Sequence, residues 1–199
     1  MTARRLILTA ALLAVALTAP AAAGPVLWGF SYEVATPLGD AKDFVDDPLS
    51  WRGVGMEGRV WTSPNIAVGV AASWQVFHES LGQHTLSMPG VDISGRQTRD
   101  INAVPVEVGA FYYLGDDAGG ARPFFGLNAG ATYVERRADI GIYSFVEENW
   151  HLSIAPEVGV QLPYWRRLGY VSLRWHHAFE AGDVSENSYL SFRVGLGLR

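Results

Sequence analysis

Ile66-Ala-Val-Gly-Val-Ala-Ala-Ser-Trp-Gln-Val76 is the stretch that decides the fold class. Ile66, Val68, Val70, Ala72, Trp74 and Val76 share one parity; Ala67, Gly69, Ala71, Ser73 and Gln75 share the other. Side chains alternate across a strand but recur about every 3.6 residues on a helix, so period two marks a strand with two unlike faces. One face here is large and apolar. The other is small or polar.

The pattern recurs on both sides of this stretch. Trp28, Phe30, Tyr32 and Val34 oppose Gly29, Ser31, Glu33 and Ala35. Val54, Met56 and Val60 oppose Gly55, Glu57, Arg59 and Trp61, with Gly58 interrupting the apolar side. Val104 to Tyr112, Phe125 to Tyr133, Leu152 to Leu162, Val171 to Trp175 and Leu190 to Leu198 repeat it. The count is about eight strands, each expected near the ~9–11 residues with which a tilted strand crosses a bilayer. Between them the connections alternate. Gly39–Ser50, Glu79–Gln97 and Arg136–Asn149 read as long loops, and Ala181–Asn187 as a moderate one. The turns at Ser63-Pro64 and Pro163–Leu168 read as short, with Gly115–Arg122 between them in order. An even strand number with long loops on one side predicts an up-and-down barrel with both termini on the short-turn side.

Composition agrees. Hydrophobic residues make up 49% of the 199, and charged residues only 18%, below the ~25% usual for soluble domains. With no cysteine, a disulfide scaffold, a thiolate metal site and a cysteine nucleophile are excluded together. The net charge of -5 argues against a nucleic-acid partner. Arg4 and Arg5 precede the apolar run Leu6–Leu17, and Ala21 and Ala23 supply a small-x-small cleavage pattern. We therefore expect residues 1–23 to be a signal peptide and 24–199 the barrel domain. The run is too short for a spanning helix, and no later segment is long and apolar enough to be one. Cleavage removes two arginines and leaves the mature chain at -7.

Orientation follows from volume. The apolar face carries Trp28, Phe30, Tyr32, Trp74, Tyr112, Phe125, Tyr133, Trp175 and Phe192, which the interior of an eight-stranded barrel has no room to hold. The glycine-, serine- and alanine-rich face suits a narrow lumen. Hence the aromatic face is expected outward, in lipid. Trp28, Trp61, Trp74, Tyr112, Tyr113, Trp150, Tyr164, Trp165 and Trp175 near strand ends are expected to form interfacial girdles.

On these residues the chain from Val26 to Arg199 resembles the small eight-stranded outer-membrane barrels of the OmpA, OmpX and OmpW type. Arg122-Pro-Phe-Phe-Gly-Leu-Asn-Ala-Gly-Ala-Thr-Tyr133 is similar to their Pro-aromatic-x-Gly-x-x-x-Gly strand, and Ala155-Pro-Glu-Val-Gly159 to the strand that follows. Tyr189–Leu198 resembles the terminal strand read by the barrel-assembly machinery, although Arg199 stands where an aromatic is usual. The resemblance implies an outer-membrane location, with lipid and lipopolysaccharide as surroundings. The family spans structural, adhesive, transport and a few enzymatic proteins, so it leaves the function open.

The candidate site residues are the charges of inner parity: Glu33, Glu57, Arg59, Glu107, Glu157, Arg174 and Arg193. Closure of the barrel would set Arg193 across from Glu33, and Glu157 and Arg174 lie on adjacent strands. Buried charges must be paired. Such a network either fills the lumen or lines a narrow passage for a solute. Eight strands leave little room for a pore, so the filled lumen is preferred. A lipid A deacylase would need a serine beside the base His176-His177, but Ala178 and Phe179 follow, leaving only Ser185 and Ser188. Adjacent histidines on a strand point oppositely and make poor metal co-ligands. The acidic loop with Asp40, Asp43, Asp46 and Asp47 is a candidate for a bridging divalent ion, with simple solvation the commoner case. No phosphate loop or zinc spacing occurs, and no cofactor, catalytic residue or resident metal is expected. The reading is a non-enzymatic envelope barrel that is structural or presents loops, with a narrow channel or binding barrel as the alternative.

Overall fold

A computed structural model describes residues 26–88, 91–115, 120–164, 167–182 and 184–198. The expected signal peptide, Pro89-Gly90, Trp165 and Arg199 lie outside them. Eight strands run in order: β1 Val26–Leu38, β2 Ser50–Trp61, β3 Ile66–Met88, β4 Val91–Tyr113, β5 Arg122–Ile140, β6 Tyr143–Tyr164, β7 Arg167–Ala178 and β8 Asn187–Leu198. Each pairs antiparallel with the next, and β1 pairs with β8 through Trp28↔Leu198 to Leu38↔Ser188, so the barrel closes. Closure removes both sheet edges along the paired length.

The parity of each strand carries through to its burial. Phe30, Leu127 and Leu152 are 63%, 57% and 71% exposed on the outer face, whereas Ser31, Asn128 and Ser153 are buried inside. An apolar belt this continuous exceeds the patches that soluble monomers leave to water. Glycine on the inner side makes room for large neighbours. A methyl group at Gly53 would stand 2.6 Å from the Glu33 carbonyl oxygen and 2.8 Å from Glu33 Cβ.

Three expectations need correction. The strands are longer than a bilayer needs. β3, β4 and β6 reach 22 or 23 residues, and β5 reaches 19. Glu79–Gln97 and Arg136–Asn149 are therefore mostly paired strand; Gly141 and Ile142 form the whole turn between β5 and β6. Just above the apolar belt the polarity inverts, with Phe77, Ile101 and Val134 buried inside and His78, Asp100 and Glu135 on the outer face, so the outward apolar repeat stops while the ladder continues. Second, the lumen is not lined by small residues alone. Phe111, Tyr113, Phe124 and Tyr170 pack together inside its lower end, with Trp61 against them. Trp61 and Tyr113 thus belong to this inner cluster and not to an outer girdle. Third, the acidic loop after β1 is not open coil. It forms a short helix, α1 (Asp40–Phe44), that turns back over the upper mouth. Ala41 and Val45 are fully buried there with Phe77, Ile101, Val134 and Tyr189.

Candidate functional site

The lumen is a stack of three layers. The lower layer is the aromatic cluster. Over it lies the Arg59 guanidinium, 3.8 Å from the Phe111 ring centroid and 4.7 Å from that of Phe124, while its Nη1 donates to the Tyr113 hydroxyl at 2.8 Å. A cation over desolvated ring faces is attracted by the ring quadrupoles.

The middle layer holds the seven inner charges, each only 1–3% exposed. Arg193 is its hub. Nε donates to Glu33 at 2.9 Å, Nη1 to Glu157 at 2.9 Å and Nη2 to Glu57 at 3.3 Å. Arg174 binds Glu157 through Nη2 at 2.6 Å and Nε at 3.1 Å, and lies 3.6 Å from Glu57 and 3.8 Å from Glu107. Arg59 reaches Glu57 at 3.1 Å and Glu157 at 3.5 Å. The structure thus brings all seven into one network of four carboxylates and three guanidiniums, with Glu157 touched by all three arginines. His176 is an eighth member; it shares the inner parity of Arg174, but the candidates are confined to the formally charged residues. Its Nδ1 lies 3.7 Å from Glu107, and its ring stacks on Tyr189 at 4.4 Å.

The upper layer is apolar and is pinned by two arginines, Arg99 from the stretch between the third loop and the following strand, and Arg136 from the start of a segment read as loop. Arg99 donates to the Phe44 carbonyl at 3.1 Å, and Arg136 to the Glu186 carbonyl at 2.7 Å. Both guanidiniums lie about 6 Å from the Phe44 ring centroid, at 5.7 and 5.8 Å. They clamp α1 and the last loop over the mouth. Continuing the period of β4 and β5 past the belt is the signal that would have found them.

The other candidates separate. His177 and Ser188 meet across β7 and β8, with Nδ1 2.8 Å from Oγ. The ring is held between Trp175 and Phe179, and among the described residues no carboxylate hydrogen-bonds it. This is a base and a hydroxyl without the group that orients a hydrolytic triad. Asp40 and Asp43 lie on α1, the Asp46 N–H donates to Glu79, and Asp47 accepts from the Leu49 N–H. Among the described residues, no three His, Asp or Glu side chains converge as a metal site.

No family model matches the sequence, and no curated protein matches it. Solved structures do resemble the fold. The Neisserial surface protein A structure superposes with a TM-score of 0.59 at 8% identity, covering 88% of this chain and 97% of that one. The N-terminal barrel domain of Pseudomonas aeruginosa OprF gives 0.47 at 12%, covering 88% and 99%. Yersinia pestis Ail, solved with the heparin analogue sucrose octasulfate, gives 0.46 at 14%, covering 86% and 94%. At such identities the likeness is one of fold: the eight-stranded barrel.

Proposed function

We propose that the chain is an outer-membrane barrel that conducts nothing and displays a β-sheet beyond the membrane for a polypeptide partner. The apolar belt supports insertion, since a closed barrel leaves no unpaired backbone within the bilayer. The short-turn end with both termini then faces the periplasm, where the exported chain meets the barrel-assembly machinery. Lipid and lipopolysaccharide surround the belt. The filled lumen favours a structural core over a passage.

One observation carries the display reading. β3 to β6 continue as a four-stranded sheet above the aromatic level of Trp74, Tyr133 and Trp150. There, β6 from Tyr143 to Glu148 has no second neighbour among the described residues, because its pairing with β7 begins only at Ser153. Ile142, Tyr143, Phe145 and Val146 are 92%, 50%, 46% and 46% exposed in this region, outside the belt that lipid would cover. An unguarded apolar edge is a template for an added strand. The opposite edge, β3, is interrupted by a bulge at Leu81 beside Gly82, whose φ is +71°. Bulges of this kind blunt an edge.

The test is topological. A protease site inserted between Gly141 and Ile142 should be cut on intact cells, and one at Ser63-Pro64 only after the envelope is opened. The folded protein should migrate differently with and without boiling, and it should give no ion conductance in a planar bilayer. Recovery from the periplasm without a heat shift, or steady channel currents, would sink the reading.

A further inference from the structure

We propose that the open edge of β6 takes a basic partner: an extended polypeptide segment with two adjacent lysines or arginines at its membrane-proximal end and apolar residues above them. The inference rests on the display reading above and names the occupant of that edge. Asn149 sets the lower limit of the edge. Its Oδ1 accepts the Trp150 N–H at 2.9 Å and its Nδ2 donates to the Ala181 carbonyl at 2.9 Å, while the Phe179 N–H donates to the Leu152 carbonyl at 2.9 Å. Above this point the strand is open. Alternate residues of an antiparallel strand turn N–H and C=O to the same side. Tyr143, Phe145 and Glu147 turn theirs to β5, so Ser144, Val146 and Glu148 turn theirs outward, to the side where an added strand would run.

Charge selects the strand. Glu148 stands directly opposite Glu135 on the outer face of the ladder, and like charges so placed repel. Arg137 pairs with Glu135 at 3.4 Å, whereas Glu148 accepts from the Tyr133 hydroxyl, which brings no charge, at 2.5 Å. On the inner face Glu147 stands opposite Arg136, but that guanidinium donates to the Glu186 carbonyl and lies 5.8 Å from the Phe44 ring centroid. The bond from Asn149 to Ala181 holds the last loop at the foot of the open edge, and this part of the chain adds Glu180 and Glu186. Negative charge therefore gathers where the ladder opens. Adjacent residues on a strand point to opposite faces, so a neighbouring basic pair meets Glu147 on one face and Glu148 on the other. Higher up, Phe145 has the inner parity of Val134 and Val146 the outer parity of Tyr133, so apolar residues beyond the pair find apolar neighbours on both faces. A second copy in the same membrane does not fit. Both β6 strands would run toward that membrane, so no antiparallel ladder forms, and the two-fold between the copies sets each glutamate pair against its counterpart.

The test uses the full-length mature barrel in nanodiscs of phosphatidylcholine, a lipid without net charge, and labelled hairpin peptides cyclised to hold one strand extended. That strand reads Lys-Lys-Val-Phe-Thr, Gln-Gln-Val-Phe-Thr or Glu-Glu-Val-Phe-Thr, so antiparallel docking sets its first two residues beside Glu148 and Glu147. By fluorescence anisotropy the lysine peptide should bind about tenfold more tightly than the glutamine peptide, the scale of two exposed ion pairs, and the glutamate peptide more weakly than either. Glu147→Gln and Glu148→Gln should each reduce the preference by about threefold, and the double variant should erase it. A lysine peptide methylated on the backbone nitrogens that face β6 should not bind. The boiling-dependent mobility shift is read on every variant, so a misfolded barrel is recognised as such. Equal binding of the lysine and glutamine peptides, or a lysine preference that survives the double variant, would overturn the basic partner and leave strand addition standing. Undiminished binding of the methylated peptide would overturn strand addition itself, and binding of none of the peptides would overturn both.

Discussion

Glu157 sits where three guanidiniums meet, and at this scale its energetics differ from those of a simple pair. Losing one partner of a buried ion pair typically costs about 3–5 kcal/mol, because the survivor stays desolvated and unmatched. Arg193→Leu removes hydrogen bonds to Glu33, Glu57 and Glu157 together, whereas Arg174 hydrogen-bonds one carboxylate, Glu157, among the described residues, so Arg193→Leu should lower the urea midpoint of unfolding in lipid vesicles more than Arg174→Leu does. Adding Glu157→Leu to Arg174→Leu should recover only part of the loss, since Arg193 and Arg59 then lose a carboxylate of their own. Full additivity of the two single effects would show that Glu157 and Arg174 are not coupled. The common parity of these residues was legible in the sequence. Of their partners the sequence offered Glu33 for Arg193 and Arg174 for Glu157; the others it did not offer, because one arginine reaches carboxylates on β1, β2 and β6 only after the barrel has curled.

Two strand positions distinguish ladder from edge. Counting from the turn at Gly141-Ile142, Tyr143 and Phe145 exchange backbone bonds with Ile140 and Ala138. Val146 turns its N–H toward the open side. Proline removes that donor, so Val146→Pro should barely change stability, while Phe145→Pro removes a ladder bond and should cost about 1 kcal/mol or more. Thermal unfolding of the two variants in nanodiscs measures this directly, and equal losses would contradict the open edge. On the belt, Leu127→Arg should cost about 2–4 kcal/mol if that face meets lipid near the midplane. The vesicle unfolding midpoint tests it, and an unchanged midpoint would argue against burial in hydrocarbon. The extensions of β3 to β6 escaped the sequence reading for a physical reason. The repeat was followed by its outward apolar face, and above the belt that face turns polar while the apolar side chains lie inside.

For the whole molecule, occlusion is layered. The aromatic cluster, the charged network and α1 each block the lumen at a different height. Phe111→Ala should therefore leave the barrel non-conducting in a planar bilayer, because two layers remain; open-channel currents from that single change would show that the lower cluster is the sole seal. The chain by itself determined the strand class, the approximate strand number and which face of the strands looks outward along the apolar belt, since these follow from a local repeat and from the volume of aromatic side chains. Only the tertiary structure decided that the lumen contains large aromatics, that Arg99 and Arg136 clamp the mouth, and that β6 has an open edge. Each depends on register between strands distant in sequence, and a one-residue bulge or a closing seam changes register without leaving a mark in the local pattern.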